Sequence, residues 1–215
     1  MFRVITAVFT TYVLGIAVAA FVGVGSVTSD ATADEKKDPT YIGTAKCKKC
    51  HLKQFKSFTK SSPLHTSFEN LKPDVKAEEK KAAKLDPKKD YTKDPTCLKC
   101  HVTAYGAASG YPAVVKDKEW TADEKARATA LEGVQCEGCH GAGSKYSVFK
   151  KENKEYKRSQ IVALGAVSPP TEAQCAPCHA KECPTMPADY KFDFEKKKMS
   201  EAVHAHKKLK YDHSD

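Results

Sequence analysis

The chain carries a single tryptophan and only three methionines in 215 residues, and it has no run of alternating apolar and polar residues long enough for a substantial sheet. A fold built from strands is therefore not expected. No serine, histidine and aspartate set, and no pair of carboxylates, stands in a setting that argues for a hydrolase. Long apolar runs are also scarce. The exception is the charge-free stretch from Val4 to Val27, which follows Arg3 and precedes Ala31-Thr32-Ala33. It reads as an export signal over residues 1–33, with cleavage near Asp34. The alternative is an uncleaved N-terminal membrane anchor, because about 20 apolar residues span a bilayer. On either reading the remainder lies outside the cytoplasm, with a periplasmic location expected.

What the chain does have is cysteine in one repeated pattern. Cys47-Lys48-Lys49-Cys50-His51, Cys97-Leu98-Lys99-Cys100-His101, Cys136-Glu137-Gly138-Cys139-His140 and Cys175-Ala176-Pro177-Cys178-His179 each spell Cys-x-x-Cys-His. Two thiols three positions apart suit covalent addition to the two vinyl groups along one edge of a haem, and the histidine that follows reaches the iron. Zinc sites or disulfides would use the same cysteine pairs, but neither asks for histidine after every second cysteine. Eight of the nine cysteines are consumed in this way, so four covalently bound haem c groups are expected, each with its iron. The ninth, Cys183, is read as a buried thiol or, if exposed, a site of dimerisation.

The formal charge is +9, and removal of residues 1–33 leaves it unchanged because Arg3 and Asp30 cancel. Haem propionates offset part of it. Nucleic-acid binding has no support beyond this charge, whereas a lysine-rich surface suits docking to an acidic redox protein.

Haem faces replace much of the apolar core that a chain of this size would otherwise build. The expected fold is mainly α with extensive irregular loops, one tetrahaem cytochrome c domain over residues 34–215 wrapped around its four haems. Helices are expected at residues 51–58, ending at Ser61-Ser62-Pro63, then at 64–71, carrying His65, and at 75–85, with a solvated charged face. Thr121-Ala122-Asp123-Glu124 is a capping box opening a helix to Leu131, and Gly133 stops it before the third motif. Residues 86–95 and 106–112 read as turns and loop, residues 145–158 as a mobile charged surface segment, and residues 195–210 as a terminal helix. The motifs are unequally spaced, which excludes a solenoid.

A family resemblance enters between Leu71 and Gly143. The runs Leu71-Lys72-Pro73-Asp74-Val75-Lys76, Ala83-Lys84-Leu85-Asp86-Pro87-Lys88-Lys89-Asp90-Tyr91-Thr92-Lys93-Asp94, Cys97-Leu98-Lys99-Cys100-His101-Val102, Gly110-Tyr111 and Gly133-Val134-Gln135-Cys136-Glu137-Gly138-Cys139-His140-Gly141 resemble the tetraheme cytochrome c-554 family. The resemblance implies a monomeric, mostly helical periplasmic electron carrier that accepts electrons from a multihaem hydroxylamine-oxidising enzyme. It also implies two histidine ligands on three haems and an open position on the haem of the second motif. The sequence departs from the family at His140-Gly141-Ala142-Gly143-Ser144-Lys145-Tyr146, where relatives carry a further histidine ligand and this chain has none before His179.

Beyond His51, His101, His140 and His179, the chain offers His65, His204, His206 and His213 as iron ligands. The resemblance aligns His65 with the distal ligand of the third motif's haem, and one of His204 and His206 with that of the fourth. A terminal helix would put Met199, Ala202, Val203, His206 and Leu209 on one face, favouring His206, with His204 beside Lys197 and Lys208 on the other. His213 reads as a frayed tail or a spare ligand. Met186 and Met199 are sulfur candidates, with a loop position and core packing as the alternatives. Trp120, Tyr105, Tyr111 and Tyr146 read as packing along haem edges.

Electron transfer between redox partners is the function these residues point to. Two alternatives remain open: reduction of nitric oxide or a similar ligand at a five-coordinate haem on His101, and a subunit of an extracellular haem filament in which His213 completes a neighbour's haem.

Overall fold

The computed structural model describes residues 37–179, 183, 185–187, 189–197, 200–207, 211 and 213–215. The segment read as signal or anchor lies outside the described residues, as do Met199, Lys208 and Leu209. By backbone contacts the chain divides after Lys37, and the unit Asp38–Asp215 contains every element that follows. Among the described residues no helix is long and apolar enough to cross a membrane.

The unit is helical, with no strand among the described residues beyond isolated bridges from Val102 to Glu132 and Gly133. A 3-10 turn, Thr44–Lys49, leads into α1 (Leu52–Ser61), and a second, Glu69–Leu71, precedes α2 (Ala77–Ala82). Then come α3 (Pro95–His101), α4 (Ala122–Ala130), α5 (Cys136–His140), α6 (Ser144–Glu152), α7 (Arg158–Val162), α8 (Glu172–Cys175) and α9 (Phe194–Lys197).

Local chemistry accounts for the ends of these helices. Ser62 turns to an extended conformation before Pro63, whose ring disfavours helix in its predecessor, and α1 stops there. Asp94 caps α3 by accepting from the Thr96 N–H at 2.9 Å, with Pro95 in the first turn where its missing N–H costs nothing. Thr121 and Glu124 form the expected reciprocal box at the start of α4.

Four expected segments differ. Residues 64–71 form turns rather than a helix, because their polar groups are engaged elsewhere: the Leu64 carbonyl accepts from Val134 N–H, and the Ser67 hydroxyl donates to Leu64 and His101 carbonyls. The 75–85 helix shrinks to α2, since Asp74, Lys76 and Lys84 all take positive φ. Its Lys80 is buried, with the ammonium donating to the Lys72 carbonyl and lying over the Tyr91 ring. Residues 145–158 are not a loose surface segment. Most of them form α6, whose Tyr146 and Phe149 pack on a cluster of Tyr156, Ile161 and Ala166. Among the described residues the terminal helix covers Phe194–Lys197, and 201–207 run as turn and irregular chain, with Ala205 N–H donating to the Ser57 hydroxyl of α1 at 3.0 Å.

The main apolar cluster sits around α3 and α4. Phe68, Leu71, Tyr91, Leu98, Val102, Tyr111, Ala128 and Leu131 form it, with Tyr105 and Trp120 packed against it. Tyr111 meets Trp120 edge to face at 5.6 Å, and the Trp120 indole donates to the Ala113 carbonyl. Leu98, fully buried, lies between the two cysteines of the second motif. The core thus anchors the second motif through Leu98, with Cys97 packed against its edge.

Candidate haem centre

All four motifs adopt a helical turn. The second and third form the C-terminal part of α3 and the whole of α5, while the first and fourth close through His51 N–H to the Cys47 carbonyl and His179 N–H to the Cys175 carbonyl, each at 3.0 Å. On such a turn positions three and four residues apart are neighbours, so both sulfurs and the imidazole emerge together. No disulfide links any cysteine.

Tertiary packing then sorts the motifs in a way that chain order does not. Cys47 of the first motif lies beside Cys136 of the third, close enough that the interaction of the two sulfurs brings Cys136 down to about 7 and pushes Cys47 up. Cys178 of the fourth stands in the same relation to Cys100 of the second, with Cys100 brought down to about 7. Cys100 Sγ also lies 3.8 Å from the Pro177 carbonyl, and Cys178 Sγ 4.0 Å from that of Lys99. Thioether formation would remove these thiol protons, so the contacts matter as markers of proximity. Because α5 packs against both the Thr44–Lys49 turn and α8, the spatial sequence is first, third, fourth, second.

The imidazoles are oriented by what their Nδ1 atoms meet. His101 donates from Nδ1 to the Ser67 carbonyl at 2.6 Å, and His140 to that of Val167 at 3.3 Å. His179 Nδ1 lies 2.9 Å from the Tyr190 hydroxyl, with its ring stacked on Phe192 at 4.4 Å. A proton fixed on Nδ1 leaves the Nε2 lone pair for a metal, the arrangement in which metal-binding histidines are ordinarily held. His51 differs, since its Nε2 accepts from Lys150 Nζ at 2.9 Å. Burial, then the Lys150 charge, pushes His51 down to about 4, and burial lowers Lys150 as well. His101, His140 and His179 are lowered chiefly by burial.

Of the other histidines, His204 lies beside His140, ring centroids 6.3 Å apart and tilted by 30°, and donates from Nδ1 to the Ala205 carbonyl. His206 follows at 4.8 Å from His204. His65 packs on Phe58. His65 Nδ1 and His206 Nε2 are buried without a hydrogen-bond partner, an arrangement that costs about 1–3 kcal/mol unless something else binds there. These orphaned nitrogens, together with the Nε2 atoms of His101, His140 and His179, fit a haem-iron ligand set. His213 is not frayed: it stacks on Tyr156 at 3.8 Å and donates to that residue's carbonyl at 2.8 Å. Cys183 is half-buried, 3.4 Å from the Thr185 hydroxyl, and Met186 sits in the turn beside it.

Sequence reasoning missed Glu137. It is 1 % exposed, and its carboxylate accepts from the N–H groups of Ile42, Gly43 and Gly143 at 2.7–3.1 Å, lashing the approach to the first motif onto the third. Gln135 adds a second tie, accepting from Thr44 N–H at 2.9 Å. The available signal was an acidic residue between the two cysteines of a motif, where neither attachment nor ligation needs one. Gly141, at φ +77, ends α5 where a Cβ would collide with the Gly165 carbonyl.

Comparison with known proteins agrees with this geometry. The family model described as cytochrome c554 and c-prime matches residues 46–141. Cytochrome c-554 of Nitrosomonas europaea is 33 % identical over 196 residues, covering 80 % of this chain and 78 % of that protein. The solved reduced state of cytochrome c554 from Nitrosomonas europaea superposes with a TM-score of 0.68 at 31 % identity, over 82 % of this chain and 91 % of that one. The chain belongs to the cytochrome c-554 family, and is a c-type cytochrome that binds covalent haem and has an electron-transfer role.

Proposed function

We propose that the protein is a periplasmic tetrahaem electron carrier, with haems attached at Cys47 and Cys50, Cys97 and Cys100, Cys136 and Cys139, and Cys175 and Cys178. His51, His101, His140 and His179 are the proximal ligands, and His65, His204 and His206 supply distal nitrogens. His204 is best suited to the iron of His140, because two metal–nitrogen bonds of about 2 Å each account for most of the 6.3 Å between their rings. Haem iron supplies the one-electron chemistry, and the chain sets ligands, burial and spacing.

The observation that carries this reading is the adjacency of the motifs. Cys47 beside Cys136, and Cys100 beside Cys178, with α5 joining the two pairs, support a continuous conduit with the first and second motifs at its ends. An electron accepted at one end has a route to a partner at the other. The partner is a redox protein, by resemblance a multihaem hydroxylamine-oxidising enzyme, met through the lysine-rich surface. A monomeric carrier is favoured over the filament by the docking of the C-terminal tail on its own molecule, where Arg158 N–H and Ser159 hold His213 and Asp215.

Mass spectrometry of the exported, denatured protein tests the attachment sites: four haems should remain, one on each motif peptide. Two or three retained haems would overturn the reading. Ferric electron paramagnetic resonance then counts the low-spin haems, and a high-spin signal that vanishes with nitric oxide would support ligand reduction at the haem of His101.

A further inference from the structure

We propose that Lys150 is an axial nitrogen donor to the iron served by His51. This rests on the proposed attachment of haem at Cys47 and Cys50 and goes beyond it, because no histidine is then needed on the far side of that haem.

His51 is the one motif imidazole whose described hydrogen bond runs through Nε2, and the atom it meets is an amine. Lys150 Nζ and His51 Nε2 converge to 2.9 Å, a nitrogen pair at the mouth of the first motif. A metal held between two nitrogens that each bond at about 2 Å needs them about 4 Å apart. Withdrawing the amine by about 1 Å is a small adjustment for a flexible four-carbon stem. The lysine gives up its proton to solvent on binding, leaving a neutral amine with a free lone pair.

Helix α6 delivers this side chain and is itself well fixed. Ser144 N–H donates to the Thr40 carbonyl, Thr40 N–H returns a bond to the Ser144 hydroxyl, and Gly143 N–H is held by Glu137. Tyr146, one turn before Lys150 on the same face, donates its hydroxyl to the Gly141 carbonyl at 3.1 Å. The helix therefore presents Lys150 inward over the first motif, and its nine residues include no histidine. Among the described residues no carboxylate lies within ion-pair distance of Lys150, so a solvated salt bridge does not explain its position; its ammonium also lies over the Tyr156 ring, 5.5 Å from the centroid. Of the remaining histidines, His204 lies near enough for its charge to act on His51, but its ring is set against His140. None of the described ring contacts of His65, His204, His206 or His213 involves His51.

The test uses the full exported chain with Lys150→Ala, and Lys151→Ala, one residue along α6, as control. Peptide mass mapping first establishes haem on the first motif; its absence in the native protein would remove the underlying reading and the proposal with it. With all haems present, Lys150→Ala should convert one low-spin ferric haem to high-spin and give the reduced protein one additional carbon monoxide site, while the control changes neither. Lys150→His should restore the low-spin count. A haem-complete Lys150→Ala protein with an unaltered spin count, even if a midpoint potential shifts, overturns the proposal, as does loss of that low-spin signal in His213→Ala instead. Should the alanine variant fail to mature, near-infrared magnetic circular dichroism of the native protein decides: one haem should show the charge-transfer band of histidine and amine ligation, and bands from bis-histidine haems alone would overturn it.

Discussion

Replacing Glu137 with glutamine removes one charge while keeping shape, and the effect on stability can be worked from the contacts. Oε1 accepts from Ile42 and Gly143 N–H groups and Oε2 from Ile42 and Gly43, at 2.7–3.1 Å, in a site only 1 % exposed. Glutamine keeps one acceptor oxygen and turns an NH2 towards the other amide. One buried N–H then loses its partner, costing about 1–3 kcal/mol, and the surviving bonds drop from charge-assisted to neutral strength, losing about 1 kcal/mol each. The expected loss is about 3–5 kcal/mol, a large share of the roughly 5–15 kcal/mol that holds a domain together. Guanidinium titration of haem-complete protein, followed at the Soret band, should show the midpoint falling with little change in slope. Glu137→Ala, which strands all three amides, should fall at least as far. A loss below about 1 kcal/mol for the glutamine variant would refute the clamp.

Gly133→Ala should destabilise the same titration by about 2 kcal/mol or more, since Gly133 sits at φ +77 and an added Cβ meets the His65 carbonyl; an unchanged midpoint would refute the close approach. His65→Ala should turn one low-spin haem high-spin, whereas His213→Ala should leave the spin count alone and speed amide exchange at Arg158, whose N–H donates to the His213 carbonyl at 3.0 Å. An unaltered spectrum in the first variant would remove His65 from the ligand set.

Much of the candidate site was legible because it is local. Cysteine, cysteine and histidine at positions one, four and five share the face of a helical turn wherever the turn sits, and the Thr121 and Glu124 box needs only three intervening peptide bonds. Long-range effects were not legible. The sequence pattern of a terminal helix was sound by periodicity, yet the Ser57 hydroxyl takes the Ala205 N–H, and His204 goes to the third motif rather than to a helix face. Residues 64–71 look helical until Val134 claims the Leu64 carbonyl. Lys80, read as solvated, found a carbonyl and the Tyr91 ring inside. The adjacency of the first motif to the third depends on Glu137 and Gln135, and that of the second to the fourth on the approach of Cys100 to Pro177 and of Cys178 to Lys99, none of which a motif spacing encodes.

The interleaving of those pairs has a consequence for how the molecule is made. A chain made from its N-terminus delivers the first two motifs early, and these two are the ends of the array, not neighbours. Neither has its partner until α5 and then α8 emerge, so the first half of the polypeptide can carry its prosthetic groups yet have nothing to stack them against. Closure of the array is therefore a late event in biogenesis, with the first motif joined when α5 arrives and the second only with α8, and a nascent chain stopped before Gln135 lacks both the third motif and the carboxylate that lashes the first to it. An incomplete chain would leave apolar haem faces uncovered that the complete one packs away.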